Sequence, residues 1–230
     1  LALLLALAAC ASRRRLHPDF DFATFQSSPT AFGGVATMGR VRGLGLDNPQ
    51  AIDAAMEDAF MTKRYDLRFV PASVLRERIG VERHTHLLDA YRDGAGIDTL
   101  DYLMLEQAMG ADARYLALAR IESTTVTQDR TTVDPDYNLK TDNDNVVKST
   151  ERIVWITFNL FDLEARREIW SETRAARAIE KVTFPAPTGS GAWALIKSAF
   201  SSEPDYPPPP TAFEALHDGF TYFAASIPKR

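Results

Sequence analysis

Residues 151–175 hold the densest β-branched and aromatic run in the chain, and no other stretch limits the fold as much. Ile153, Val154, Trp155, Ile156, Phe158, Leu160 and Phe161 come first, followed by the polar turn Asp162-Leu163-Glu164-Ala165-Arg166. A second strand-like run then centres on Ile169 and Trp170. Two strand signals split by a few turn residues predict a β-hairpin. One face of its first strand (Val154, Ile156, Phe158, Leu160) is wholly apolar, so helices or a second layer must cover it.

Upstream, Phe32 to Arg42 carries Val35, Met38 and Val41 among glycines, a first strand. Asn48 as N-cap and Pro49 in the first turn start a helix, and Ile52, Ala55, Met56, Ala59 and Phe60 give it one apolar face. Tyr65, Leu67 and Phe69 alternate with Asp66 and Arg68, a strand ending at Pro71. Ser73 can cap a short helix through Ile79, which Gly80 ends. Leu87, Leu88 and Tyr91 predict a further helical turn or two, and Leu100, Leu103, Met104 and Ala108 a clear helix closed by Gly110. From Arg114 to Val126, Leu116 and Leu118 face away from Tyr115, Ala117 and Ala119, which reads as a long central strand. Residues 127–145 are polar and read as a loop.

After the hairpin, Pro185-Ala186-Pro187 and Gly189-Ser190-Gly191 mark a loop, and Trp193, Ile196 and Phe200 share a helical face. Pro207 to Pro210 should form a stiff extended spacer. Phe213, Leu216, Phe220, Phe223 and Ile227 then recur at helical spacing, an amphipathic helix that docks on the domain or, as the second choice, on a partner helix. The fold class is therefore α/β, a mixed sheet of four or five strands with a long antiparallel hairpin, backed by helices.

The start of the chain speaks to location. Leu1 to Ala9 contains only Leu and Ala, and Cys10 is the single cysteine of the 230 residues. That count excludes an intrachain disulfide and a two-cysteine zinc or redox motif. Leu7-Ala8-Ala9-Cys10 resembles the lipobox of a bacterial lipoprotein signal peptide, which implies lipid attachment at Cys10 and removal of residues 1–9. The run is shorter than the roughly 20 residues that span a bilayer, whereas acyl chains hold a protein to the surface at about 0.8 kcal/mol per buried methylene. Arg13-Arg14-Arg15 could touch anionic headgroups, though they also suit a signal anchor retained in the membrane. Ala11 after the cysteine resembles the pattern sorted to the outer membrane, facing the periplasm. Residues 10–31 read as a lipid-anchored tether, part of which packs on the domain through Phe20, Phe22 and Phe25, 32–203 as the sheet domain, and 204–230 as Pro-rich spacer and C-terminal helix. The formal net charge of −5 argues against a nucleic-acid partner.

The order of elements carries a family resemblance. The strand exit Val70-Pro71-Ala72, the entry Gly110-Ala111-Asp112 to Tyr115-Leu116, and the strand-turn-strand with Asp162 in the turn and Trp170 beyond it resemble the curli-secretion (CsgG-like) and penicillin-binding-protein activator (LpoB-like) lipoproteins. These share a fold with the N-terminal domain of TolB. The resemblance covers roughly residues 32–178 and implies a protein that binds and assembles without catalysing. The arm before the domain is short for the activators. The segment 124–145 is too polar for the membrane hairpins of the secretion channels, which need 9–11 alternating residues with an apolar outer face.

No catalytic or cofactor constellation stands out. Asp134-x-Asp136-x-Asn138 opens like a calcium loop, but Leu139 stands where Gly is wanted and Asn145 where Glu is wanted. His84 and His86 diverge on a helix and read as surface histidines. Ser190 lacks the Gly-x-Ser-x-Gly elbow. Trp155 and Trp170 read as packing residues, or one of them as an exposed contact. The expectation is a non-catalytic, cofactor-free envelope lipoprotein, membrane-held through Cys10, that binds or helps assemble another envelope protein or itself. A small-ligand binding or transport accessory protein is the alternative, and an unrecognised hydrolase the more distant one.

Overall fold

In the computed structural model the hairpin supplies the second and third strands, counted from one edge, of a six-stranded mixed sheet, one strand more than the upper expectation. The structure describes residues 13–38, 48–94, 96–133, 145–185 and 203–227. Cys10, the Asp134/Asp136/Asn138 run, Ser190 and the helical face at Trp193–Phe200 lie outside these.

In chain order the elements are β1 (Arg13–Leu16), α1 (Phe22–Ser27), β2 (Thr30–Thr37), α2 (Pro49–Lys63), β3 (Phe69–Val70), α3 (Ala72–Ile79), α4 (Val81–Arg92), α5 (Thr99–Met109), β4 (Tyr115–Val133), β5 (Asn145–Asp162), β6 (Arg167–Pro185) and α6 (Ala212–Ser226). The strand order is β1-β6-β5-β4-β2-β3. Around β2 the pairing is parallel, to β3 on one side and β4 on the other; β4, β5, β6 and β1 are antiparallel neighbours.

The parallel connections account for the layering. The step from β2 to β3 runs one way across the sheet and the step from β3 to β4 runs back, so two crossovers of the same hand must lie on opposite faces. Ile52, Met56 and Phe60 of α2 pack on one face with α6, and Leu75, Leu87 and Leu105 of α3, α4 and α5 on the other. Tyr115, Ala117 and Ala119 of β4 meet the first layer and Leu116 and Leu118 the second, the alternation read from the sequence.

The apolar face of β5 is covered by α6, with Leu216, Phe220 and Phe223 buried against Ile156, Phe158 and Trp170. Phe158 stacks on Phe223 at 5.2 Å between ring centroids. The far end of α6 is pinned by Arg64, fully buried, which donates to the Ile227 carbonyl at 2.8 Å and to both carboxylate oxygens of Asp66. A cation there also suits the negative end of the helix dipole.

Several boundaries differ from expectation, each for a local reason. Phe25 is buried against Tyr115, as expected of the tether's phenylalanines, but residues 13–16 also belong to the fold: β1 pairs with β6. The first strand is Thr30–Thr37, since it follows its parallel partner β4, and only Phe69–Val70 of the 65–70 stretch pairs. Ser73 lies inside α3; Glu57 caps that helix from outside by accepting the Ala72 N–H at 2.7 Å. The polar stretch after Val126 is strand as far as Val133, in register with β5 throughout.

Candidate functional site

Two features set this chain apart from a plain helix-backed sheet. One is a β-bulge in the central parallel strand, and the other is an arm of three strands running on past the ends of β1 and β2.

The bulge falls at Gly33-Gly34, where the β2–β4 register shifts between Phe32 and Gly34. An extra residue there lets Phe32 and Val35, three apart, face the same layer. Glycine is required at both positions. A Cβ on Gly33 would come within 2.3 Å of Leu118 Cδ2, and Gly34 sits at φ +108°. The bulge withdraws two backbone groups from the ladder, and side chains replace the lost partners. Asp53 Oδ1 of α2 accepts the Val35 N–H at 2.9 Å, and His84 Nε2 of α4 lies 2.8 Å from the Gly33 carbonyl. A carbonyl only accepts, so Nε2 carries the proton.

Asp53 Oδ2 also takes Arg76 Nη2 at 2.8 Å. Burial raises the Asp53 pKa, opposed by the Val35 N–H and by Arg76. Burial likewise raises Glu57 and lowers His84, the latter opposed by the Gly33 bond and helped by Arg76. His84 is thus a buried histidine, where two surface histidines were expected; His86 is exposed on the far side of α4.

Above the bulge opens a cleft of about 540 Å³. Val35–Thr37, the start of α2 at Asn48–Gln50, and Val81, Leu88 and Arg92 of α4 form much of its wall. It lies past the carboxyl end of β2, between strands whose connections leave in opposite directions, where open α/β sheets place ligands. Its charges are paired within its own wall, Asp53 with Arg76 and Asp89 with Arg92. Asp53 and His84 do come together, as an enzyme reading would ask, but both are committed to holding the bulge. The space between the sheet and α6, where an apolar pocket would have favoured a ligand carrier, is filled by Leu216, Phe220 and Phe223.

The arm is the second feature. β2 accompanies β4 only to Ile121, and β1 accompanies β6 only from Trp170 to Thr173. Residues 122–133 of β4, 145–155 of β5 and 174–185 of β6 run on as three strands, about 40 Å at 3.3 Å per residue. Among the described residues no strand pairs with the outer edge of β4 or β6 over this length.

One face of the arm is covered. The Pro-rich segment is a strap laid along β5 instead of a free spacer. Lys148 Nζ donates to the Pro204 carbonyl at 2.7 Å, Thr150 Oγ1 to Pro207 at 2.7 Å and Arg152 Nε to Pro210 at 2.5 Å. Donors two residues apart share a strand face, and carbonyls three apart share one side of a polyproline helix. Over the three bonds the strand advances ~13 Å and the strap ~19 Å, so the long Lys and Arg side chains at the ends take up the mismatch. Glu203 closes the strap by pairing with Arg130 and Lys148, which hold its carboxyl below the usual range.

The opposite face is mixed: Thr125, Thr127, Asp129 and Thr131 of β4, Ser149 and Glu151 of β5, and Arg177 and Lys181 of β6 stand among Val147, Ile153 and Ile179. Charged groups on this face do not suit contact with lipid chains. Trp170 is core, packed against Phe158, and Trp155 is half-buried on the arm. No sequence signal marked the arm, because its outer strands lack an apolar face. A pair of adjacent glycines inside a strand was the one available pointer to the bulge. Among the described residues no helix is long and apolar enough to cross a membrane.

These features define a class: an α/β protein with a mixed six-stranded sheet, helices on both faces and a strapped three-stranded arm. No protein-family model matches the chain, and no curated protein matches it. Solved structures resemble it distantly. The PelC dodecamer from Paraburkholderia phytofirmans is 14% identical over 78% of this chain and 86% of that one, with a TM-score of 0.34. Lipoprotein GNA1162 from Neisseria meningitidis is 11% identical over 75% of this chain and 93% of that one, TM-score 0.35. A putative neuraminyllactose-binding hemagglutinin homolog from Helicobacter pylori is 9% identical over 94% of this chain and 92% of that one, TM-score 0.33. Likenesses this loose transfer no function.

Proposed function

We propose that this chain is a non-catalytic envelope lipoprotein, held through lipid on Cys10 at the periplasmic face of the outer membrane, that binds or helps assemble another envelope protein. The observation that carries the binding role is the outer edge of β4. Residues 125–132 are all exposed, and no described strand takes up the backbone groups that face away from β5. Such an edge is a template for an added strand, and main-chain hydrogen bonds would supply the affinity. The absence of catalysis is supported by Asp53, whose two oxygens go to Val35 and Arg76, and by His84, whose Nε2 is held by the Gly33 carbonyl.

A photo-crosslinking residue at Thr127 tests this in intact cells. The expected adduct joins the chain to an envelope protein or to a second copy of itself. Adducts no more frequent than from Arg83, exposed on the body, would overturn the binding role. Labelled palmitate tests the anchor separately: label on the wild type and none on Cys10→Ala is expected, and equal label on both would end that claim.

The cleft above the bulge favours a second reading, small-ligand binding, since its volume falls in the range of ligand sites. Leu88→Trp would fill it. If ligand binding is the role, that variant loses function while Thr127 adducts persist.

A further inference from the structure

The chain enters the domain along the outer edge of β6. β1 is antiparallel to β6, with Leu16 opposite Trp170 and Arg13 opposite Thr173, so its N-terminal end points along the arm. Cys10 precedes Arg13 by three residues, a reach of at most about 11 Å. A lipid there would hold this edge close to the bilayer, with no long tether between.

The side chains on that edge suit a headgroup layer. Arg15 of β1 shares a face of the sheet with Arg177, Ile179 and Lys181 of β6, which recur at the two-residue period of a strand. All four are exposed, and Ile179 is 49% exposed between the two cations. Among the described residues the acids nearby are few. Glu151 pairs with Arg177 at 3.0 Å, Glu180 points to the strap face, and Asp129 is two strands away from Lys181. On the strap face, Arg174 lies over the Tyr222 ring.

We propose that the β6 edge is a membrane-contact surface for anionic phospholipid headgroups. Arg15, Arg177 and Lys181 face the phosphates, the outward N–H groups of residues 174–184 donate to phosphate oxygens, and Ile179 enters the interface. Basic residues at such a surface are attracted by anionic lipid and released by salt. The arrangement turns the β4 edge away from the bilayer, toward the periplasm, where the proposed partner would meet it. This inference rests on the Cys10 anchor.

The test uses the full chain carrying its lipid, on vesicles of phosphatidylcholine with or without phosphatidylglycerol. Amide hydrogen exchange across residues 174–185 is expected to slow about tenfold on the anionic vesicles only, with exchange in α6 unchanged. The double variant Arg15→Glu/Lys181→Glu should stay on the vesicles and lose that protection. Equal exchange on both vesicle types, or protection already present in detergent as a covering strand would give, overturns the proposal. A wild-type chain that leaves the vesicles refutes the anchor and the inference together; one that stays without protection refutes the membrane contact alone.

Discussion

Gly219 of α6 lies flat against Ala176 of β6: a Cβ on the glycine would come within 2.8 Å of the alanine Cβ and 2.6 Å of Ile156 Cδ1. A glycine in mid-helix costs roughly 1 kcal/mol of helix propensity relative to alanine, so close approach of helix and sheet is what keeps it there. Overpacking costs typically about 1–3 kcal/mol, so Gly219→Ala should destabilise by about 1 kcal/mol net in a urea melt. Ile156→Val removes the nearest clashing atom, and Gly219→Ala in that background should cost less than it does alone. Equal costs in both backgrounds would show that Ile156 is not what limits the approach.

The bulge gives a sharper expectation. Asp53→Ala removes the acceptor of the Val35 N–H and the partner of Arg76 in one step. A buried backbone donor left unsatisfied costs about 1–3 kcal/mol, and loss of the ion pair adds to that. Asp53→Asn keeps an acceptor for Val35 and should lose clearly less. Chemical denaturation of the two variants decides it: equal losses would mean that the Val35 bond contributes nothing.

His84 makes stability depend on pH near neutrality. Burial lowers its pKa below the ordinary 6.5, so between the two values the unfolded chain binds the extra proton and the native one does not. Stability is full above 6.5 and falls as pH drops through the depressed pKa. His84→Gln keeps an N–H for the Gly33 carbonyl but cannot titrate, so the decline should flatten. Asp53 works in the opposite sense at acid pH: its pKa is raised by burial, and stability falls as pH rises through that value. Asp53→Asn should remove that slope and leave the His84 slope in place.

How much of this was legible in the sequence follows from which residues are half-buried in a periodic way. The β5 face of Val154, Ile156, Phe158 and Leu160, the α2 start at Asn48-Pro49 and the α6 stripe each carry a full apolar period, and each stands where it was read. β1 is three arginines and a leucine on an edge, so nothing distinguishes it from a solvated arm. The outer half of β4 reads as a loop because residues 125–132 are exposed and no face of it is apolar. Its strand structure is imposed by pairing with β5, whose residues 146, 148, 150 and 152 are buried under the strap. The site was the least visible part. Asp53 and His84 are 31 residues apart in number and meet only because Gly33-Gly34 breaks the ladder between them.

The strap supplies the last expectation. A proline has no N–H, so carbonyls are the only backbone groups that Pro207 to Pro210 can offer, and the segment makes no hydrogen bonds of its own as a polyproline helix. Its attachment to the arm then depends on side-chain donors of β5, and Thr150 in the middle is completely buried. Thr150→Val keeps the shape and deletes the donor, leaving the Pro207 carbonyl without it, at a cost of about 1–3 kcal/mol. If the strap is a local unit, the loss should appear as faster proteolysis and exchange around residues 203–211, with α6 held in place by Phe220 and Phe223. If α6 loosens together with the strap, the two form one cooperative unit and the arm's rigidity depends on the whole C-terminal region. An unchanged cleavage rate would mean that the Lys148 and Arg152 bonds suffice, and the double variant Lys148→Met/Thr150→Val should then release the strap.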